Sequence, residues 1–168
     1  WPAPDAARTD EAAERDFGRV QAFVNAIRAV RSEYRVQPTQ VVVSSIATMT
    51  EPWKLVVVAS GSFIARIAKT SLEDAPVRGP AAQAVLPDGN VASVALSDAI
   101  DVAKEIARLR DEFDRLGAQL ASLSAKLANA NFTGRAPADV VAREREKEQQ
   151  WTEKRGALAA KLAALTGA

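Results

Sequence analysis

The side chains with chemistry to offer in this 168-residue sequence are its charged ones, because it contains no His and no Cys. Without thiols or imidazoles there is no disulfide, no Cys or His metal site, no thiol nucleophile and no Ser–His–Asp triad. Hydrolysis would have to rest on carboxylates or lysine. The carboxylates Glu144 and Glu148 stand one turn apart on an exposed helical stretch, with no pocket to shift a pKa, so no catalytic or metal-ligating residue is expected. The bases are better placed. Lys plus Arg number 22 against 21 Asp plus Glu, a net +1 that averages over an uneven distribution. From Arg115 to Pro137 the chain carries Arg115, Lys126 and Arg135 and no acid. Arg143, Arg145 and Lys147 follow, interleaved with Asp139, Glu144, Glu146 and Glu148, while Asp98, Asp101 and Glu105 lie earlier. A rod positive toward one end can lie along a phosphate backbone without reading base sequence. Asn129, Asn131 and Thr133 can hydrogen-bond ribose or phosphate, and Phe132 can stack on an unstacked loop base. Each also has a plainer reading. Helical arginines are commonly just solvated, Asn129 and Asn131 are turn formers, Phe132 is a plug for a helix pair, and Trp151 is core.

The elements that must position these groups fall into two unlike halves, dividing near Leu96–Asp98, with seven of eight prolines before residue 98. Phe17, Val20, Val24, Ile27, Val30 and Tyr34 recur at steps of three and four, which predicts a helix over 11–35, capped by Thr9 or Asp10 and ended by Gln37–Pro38. Thr39–Ile46 favours strand. Residues 52–69 read as one helix, with Pro52 in its first turn and Gly61 as its weak point. Ala82–Leu86 and Val91–Leu96 flank Pro87-Asp88-Gly89-Asn90, a hairpin signal.

Beyond residue 98, Val102, Ile106, Leu109, Phe113, Leu116, Leu120, Leu123 and Leu127 form an unbroken heptad seam. Ser97 or Asp98 can cap it. A break follows at Asn129–Ala136, and Pro137 opens a second helix whose seam runs from Val141 to Leu165 through the polar Glu144, Glu148 and Arg155. The expected fold is α+β: an N-terminal helix leading into a small α+β domain, then a long antiparallel two-helix coiled-coil hairpin. The domains are expected at 1–37, 38–97 and 98–168. Residues 1–16 lack the apolar core of a signal peptide, and the apolar run Leu55–Ala59 is far too short to span a bilayer. A cytoplasmic protein is expected, and the start at Trp1 suggests a processed or excised piece.

Residues 127–145, LANANFTGRAPADVVARER, resemble the tip of the coiled-coil arm of bacterial valine–tRNA ligases, through Leu127, Asn129, Phe132, Ala136, Pro137, Val140, Val141, Glu144 and Arg145. Trp1-Pro2 and Ala26–Glu33 are similar to that family's Trp-Pro and Ile-Arg-x-x-Arg-x-Glu, and Val91–Ile106 resembles its strand leading into the arm. The resemblance implies that 1–37 holds the last helix of an anticodon-binding bundle, 38–97 a connecting domain and 98–168 a tRNA-binding arm resting on the elbow where the D and T loops meet. It implies a valine-accepting tRNA as partner, contacted through Arg115, Lys126, Asn131, Arg135, Arg143, Arg145 and Lys147. Catalysis, ATP and Mg would belong to upstream domains, so this stretch itself is expected to be non-catalytic and to carry no cofactor. Arg28 and Arg31, one turn apart, are expected either to pair with Glu33 or an acid of a neighbouring domain, or to reach the anticodon stem. The competing readings are a protein-interaction coiled coil and the tail of an ABC-type ATPase acting on the ribosome. A seam satisfied within one chain makes a monomer the expectation.

Overall fold

Helix α1 (Glu11–Glu33) begins where the Asp10 carboxylate accepts from the amides of Ala12 and Ala13, both at 3.0 Å. A computed structural model of the chain describes residues 10–166, so the expectations for Thr9 and for Trp1-Pro2 lie outside the described residues. The apolar stripe of α1 buries Val20, Phe23, Val24, Ile27 and Val30. Phe17, expected in that stripe, is 54% exposed, and Phe23 takes the place in the core. The helix stops short of Gln37–Pro38. Arg35 adopts a left-handed φ of 53°, and the amides of Arg35 and Val36 return to the carbonyls of Ser32 and Arg31. This double return closes the last turn at Tyr34 and satisfies carbonyls that would otherwise be orphaned.

Strand β1 (Val42–Ser45) leads into α2 (Glu51–Ala59) and α3 (Gly61–Ala68). The single helix expected over 52–69 is therefore two, broken at Ser60 beside the glycine that marked the weak point. Lys69, left-handed at φ 52°, turns the chain directly into β2 (Thr70–Glu73). This short strand was not anticipated from the sequence. It pairs in parallel with β1 in the register Val42↔Thr70 to Ser45↔Glu73, with α2 and α3 as the crossover. The predicted hairpin is present as β3 (Ala81–Val85) and β4 (Val91–Ala95), joined through Pro87–Gly89, where Asp88 and Gly89 both have positive φ. The sheet order is β2-β1-β4-β3. Its inner face buries Val42, Ser44, Ala82, Ala84, Ala92 and Val94, with α1 packed on β3 and β4 and α3 on β2. Trp53, Phe23, Ile27, Ile46, Ile64 and Leu96 complete the core.

The buried side chains of Ser44, Thr70 and Asn90 are satisfied internally. The Ser44 and Thr70 hydroxyls hydrogen-bond at 2.7 Å, and Thr70 also donates to the Val42 carbonyl. Asn90, 2% exposed, accepts from the Thr50 amide at 2.9 Å and from its hydroxyl at 3.1 Å, and donates to the Pro87 carbonyl. It thereby staples the hairpin turn to the start of α2.

The described residues part into two compact units between Ile100 and Asp101. In the second, α4 (Val102–Ala128) is capped by Asp101, which accepts from the Lys104 amide at 3.0 Å. Ser97 and Asp98, the expected caps, lie in a preceding turn. Leu109, Leu116 and Leu123 are buried, one per heptad, and the other seam residues of α4 are half-buried. The expected break contains a further short helix, α5 (Ala130–Arg135), started by Asn129 accepting from the Asn131 amide. Helix α6 (Ala138–Thr166) follows Pro137 directly and buries Val141, Leu158 and Leu165. Partners run in opposite order along the two long helices: Glu112 with Lys154, Ser124 with Glu148, and Lys126 with Glu144. No helix among the described residues is long and apolar enough to cross a membrane.

Candidate nucleic-acid interface

Helical spacing sorts the charges of α4 and α6 onto flanks. On α4, Arg115, Gln119, Ser122 and Lys126 follow at steps of four, three and four, and so form one stripe. On α6, Glu144, Lys147 and Trp151 do the same. The two stripes face each other across an open groove of about 480 Å³ floored by Leu123 and the half-buried Trp151. The structure thus brings Arg115, Lys126 and Lys147 together, three of the seven basic or polar residues singled out on the arm. Trp151, expected as core, lines the groove instead. Gln119 and Ser122 were missed, although their spacing from Arg115 carried the signal.

The cations of the groove are differently employed. Lys147 Nζ lies 4.6 Å from the centroid of the Trp151 ring, a cation–π contact that leaves the lysine exposed. Lys126 Nζ is 2.7 Å from Glu144 Oε1 and 4.6 Å from the centroid of Phe132. Arg115 is exposed. The hydrogen bond from Lys126 holds the Glu144 carboxyl below its ordinary range against the opposing effect of burial, with the charges of Lys126 and Lys147 adding to it.

Toward Asp101 the same flank is self-neutralised. Arg108 bonds Glu105 at 2.6 Å and Glu112 at 3.2 Å, and Lys154 reaches Glu112 at 3.1 Å. Arg108 is accordingly raised, chiefly by the Glu105 hydrogen bond, and Glu112 lowered, chiefly by the Lys154 hydrogen bond. The opposite flank holds the Ser124–Glu148 hydrogen bond and the Arg155 guanidinium, 4.1 Å from the Phe113 ring centroid. Arg145 stands apart from the groove, exposed. Arg143, exposed, approaches Asp139 at 3.6 Å, and Arg135 is exposed at the end of α5. Asn131 is exposed with its amide held by Asn129, and Thr133 donates to the Asn129 carbonyl at 3.2 Å. The tip asparagines are thus turn and cap residues first, and the Asn131 side chain is the one presented outward.

In the first unit Arg28 donates to the Ile67 carbonyl at 3.1 Å and remains exposed. Arg31 is 9% exposed, and its guanidinium donates to the carbonyls of Gln40, Gln37, Lys69 and Pro38 at 2.7, 2.9, 3.1 and 3.4 Å. Burial lowers its pKa. The sequence suggested a partner of opposite charge or an RNA; the structure gives Arg31 four carbonyls and a place inside the fold. Among the described residues no group of three or more acidic or metal-ligating side chains gathers to hold a metal ion.

A rod with three exposed cations gathered along one groove suits a sequence-tolerant RNA contact, and residues 101–166 match the family described as the valyl tRNA synthetase tRNA binding arm. The match extends past the arm in whole-chain comparison. The valine–tRNA ligase of Bacillus subtilis (strain 168) is 32% identical over 99% of this chain and 19% of its own length. That of Mesorhizobium japonicum is 34% identical over 96% of this chain and 17% of its own, and that of Geobacillus stearothermophilus 30% identical over 98% and 19%. Residues 101–166 belong to that arm family, and over nearly its whole length the chain is similar to valine–tRNA ligases, spanning about a fifth of the length of these relatives.

Proposed function

We propose that this chain is the non-catalytic C-terminal tRNA-holding region of a valine–tRNA ligase, with residues 98–168 as an antiparallel coiled-coil hairpin that rests on the elbow of a valine-accepting tRNA. The opposite order of the α4–α6 partners and the heptad burial of Leu109, Leu116 and Leu123 support the hairpin. The observation that carries the function is the groove shared by Arg115, Lys126 and Lys147. In this reading Arg115 and Lys147 meet backbone phosphates there, Arg135, Arg143 and Asn131 extend the contact toward the tip, and Arg145 flanks it. Arg28 is the candidate for a second contact on the first unit. Residues 1–37 serve as the last helix of an anticodon-binding bundle and 38–97 as the connecting domain, on which Arg31 acts as internal glue. Aminoacylation with ATP and Mg is performed by the rest of the enzyme in the cytoplasm, and this region needs no cofactor of its own. The α4 seam is covered by α6, which favours a monomer.

The test is charge reversal in the groove. Arg115→Glu with Lys147→Glu should weaken binding of a valine tRNA and lower the slope of log affinity against log salt by about 0.9 per lost phosphate contact. Unchanged affinity at low salt would remove the arm from the interface. Footprinting should show protection by the arm at the D and T loops.

A further inference from the structure

Of the cations on the groove, one is built into the protein more tightly than the others. Lys126 sits in the last turn of α4, its ammonium between the Phe132 ring of α5 and the Glu144 carboxylate of α6. Through these two contacts Lys126 bridges all three helices of the arm. Glu144 occupies a seam position, with its side chain 20% exposed against 45% for Lys126, so the anchoring end of the contact is the less mobile one. Phe132 is half-buried, and α5 is a six-residue helix whose described cap is the Asn129 side chain. So short a helix is not stable by itself and must be held from outside. The lysine supplies that hold from two directions, as a hydrogen-bond donor to Glu144 and as a cation over Phe132.

We infer that Lys126 is a positioning residue for the tip rather than a phosphate contact: it clamps α5 between α4 and α6, so that Arg135 and Asn131 are presented to RNA in one fixed arrangement. The inference rests on the reading of the arm as a tRNA-binding element and divides its basic residues into two kinds. Arg115 and Lys147 act through their own charge. Lys126 acts through the placement of others, and Glu144, though negative, assists binding because it holds Lys126 in place.

The sign of one variant separates the two roles. Glu144→Gln removes a negative charge from a face turned toward a polyanion, so direct electrostatics tightens binding. Loss of the clamp weakens it. The experiment makes Lys126→Met, Glu144→Gln and Lys126→Arg in the full chain and reads two quantities: amide exchange over residues 130–136 without RNA, and affinity for a valine tRNA across a salt series. Lys126→Met and Glu144→Gln should each speed exchange at the tip and weaken binding severalfold while the salt slope stays near that of the parent. Lys126→Arg, which keeps a cation for Phe132 and a donor for Glu144, should preserve both. The inference is overturned if Glu144→Gln tightens binding. It is equally overturned if Lys126→Met leaves tip exchange unchanged while lowering the salt slope by about 0.9, the signature of one lost phosphate contact. Should the Arg115→Glu, Lys147→Glu variant bind tRNA normally, the arm reading fails, and the exchange measurement alone still decides whether Lys126 holds the tip.

Discussion

Arg31 and Arg115 are the same side chain put to opposite uses in the two units of this protein. In the sheet unit, α1 carries Arg31 inward, where four carbonyls from the chain around β1 and the end of α3 surround the guanidinium. In the arm two helices offer one another only a narrow seam, which takes in the Arg155 guanidinium against the Phe113 ring and has no layer of backbone carbonyls to surround a second. Arg115 is left on a flank, exposed over an open groove. A layered unit uses charge to bind its own backbone. A two-helix rod cannot, and whatever charge it does not pair along its flank is available to a partner. The pairing itself is graded: Arg108, Glu112 and Lys154 are occupied with one another near the start of α4, while Arg115 and Lys147 farther along are not ion-paired with any acid described here.

The largest test of this contrast lies in the sheet unit's core. Phe23→Ala should cost about 3–5 kcal/mol in urea unfolding, because the fully buried ring leaves a cavity under the sheet. Arg31→Met should follow at about 2–3 kcal/mol, since it strands buried carbonyls, and should leave the tRNA salt slope untouched. A change in that slope would mean Arg31 acts outside the fold. Leu116→Ala, in the thinner arm, should cost about 2 kcal/mol, near the low end for such truncations. A loss as large as that for Phe23 would show the seam to be packed as tightly as the sheet unit. Arg115→Gln should change stability by less than about 0.5 kcal/mol, yet reduce tRNA affinity and its salt slope. The smallest effect is in acid. Glu112 and Glu144 have carboxyls held below their ordinary value of 4.5 by Lys154 and Lys126. Their contribution to the arm is complete above that value and is lost as pH falls through their lowered values. Circular dichroism from pH 7 down to 3 should show the arm loosening only below about 4.5, and Glu112→Gln with Glu144→Gln should flatten that dependence. Loosening that began well above 4.5 would point to other groups.

What could be read in advance follows how local the determining physics is. The seam of α4 is written in steps of three and four within a single helix, and burial of Leu109, Leu116 and Leu123 follows it. The β3–β4 hairpin needs only its own turn residues. Strand β2 was invisible because Thr70-Ser71-Leu72-Glu73 has no apolar alternation, and its pairing comes from β1, on the far side of two helices. Helix α5 was read as a break because Asn129, Thr133 and Gly134 are turn formers, and its support comes from Lys126 and Glu144 in the flanking helices. The groove was half legible. Net positive charge toward the tip was plain, but which cations share a flank with Trp151 depends on how α6 faces α4. The fate of Arg31 was least accessible, since its acceptors lie up to 38 positions away.

The Asn90 staple bears on the order in which the sheet unit assembles. Helix α2 has no side-chain cap of its own, because Thr50 makes no such bond, and the Thr50 amide is instead received by a residue 40 positions later in the chain. The hairpin that carries Asn90 closes through neighbours in sequence, whereas the amide of Thr50, the residue at which α2 starts, has its acceptor only once that hairpin has docked. The amino end of α2 is thus tied to the hairpin, and a chain that has not yet placed Asn90 leaves the Thr50 amide and hydroxyl without the acceptor they share in the folded unit.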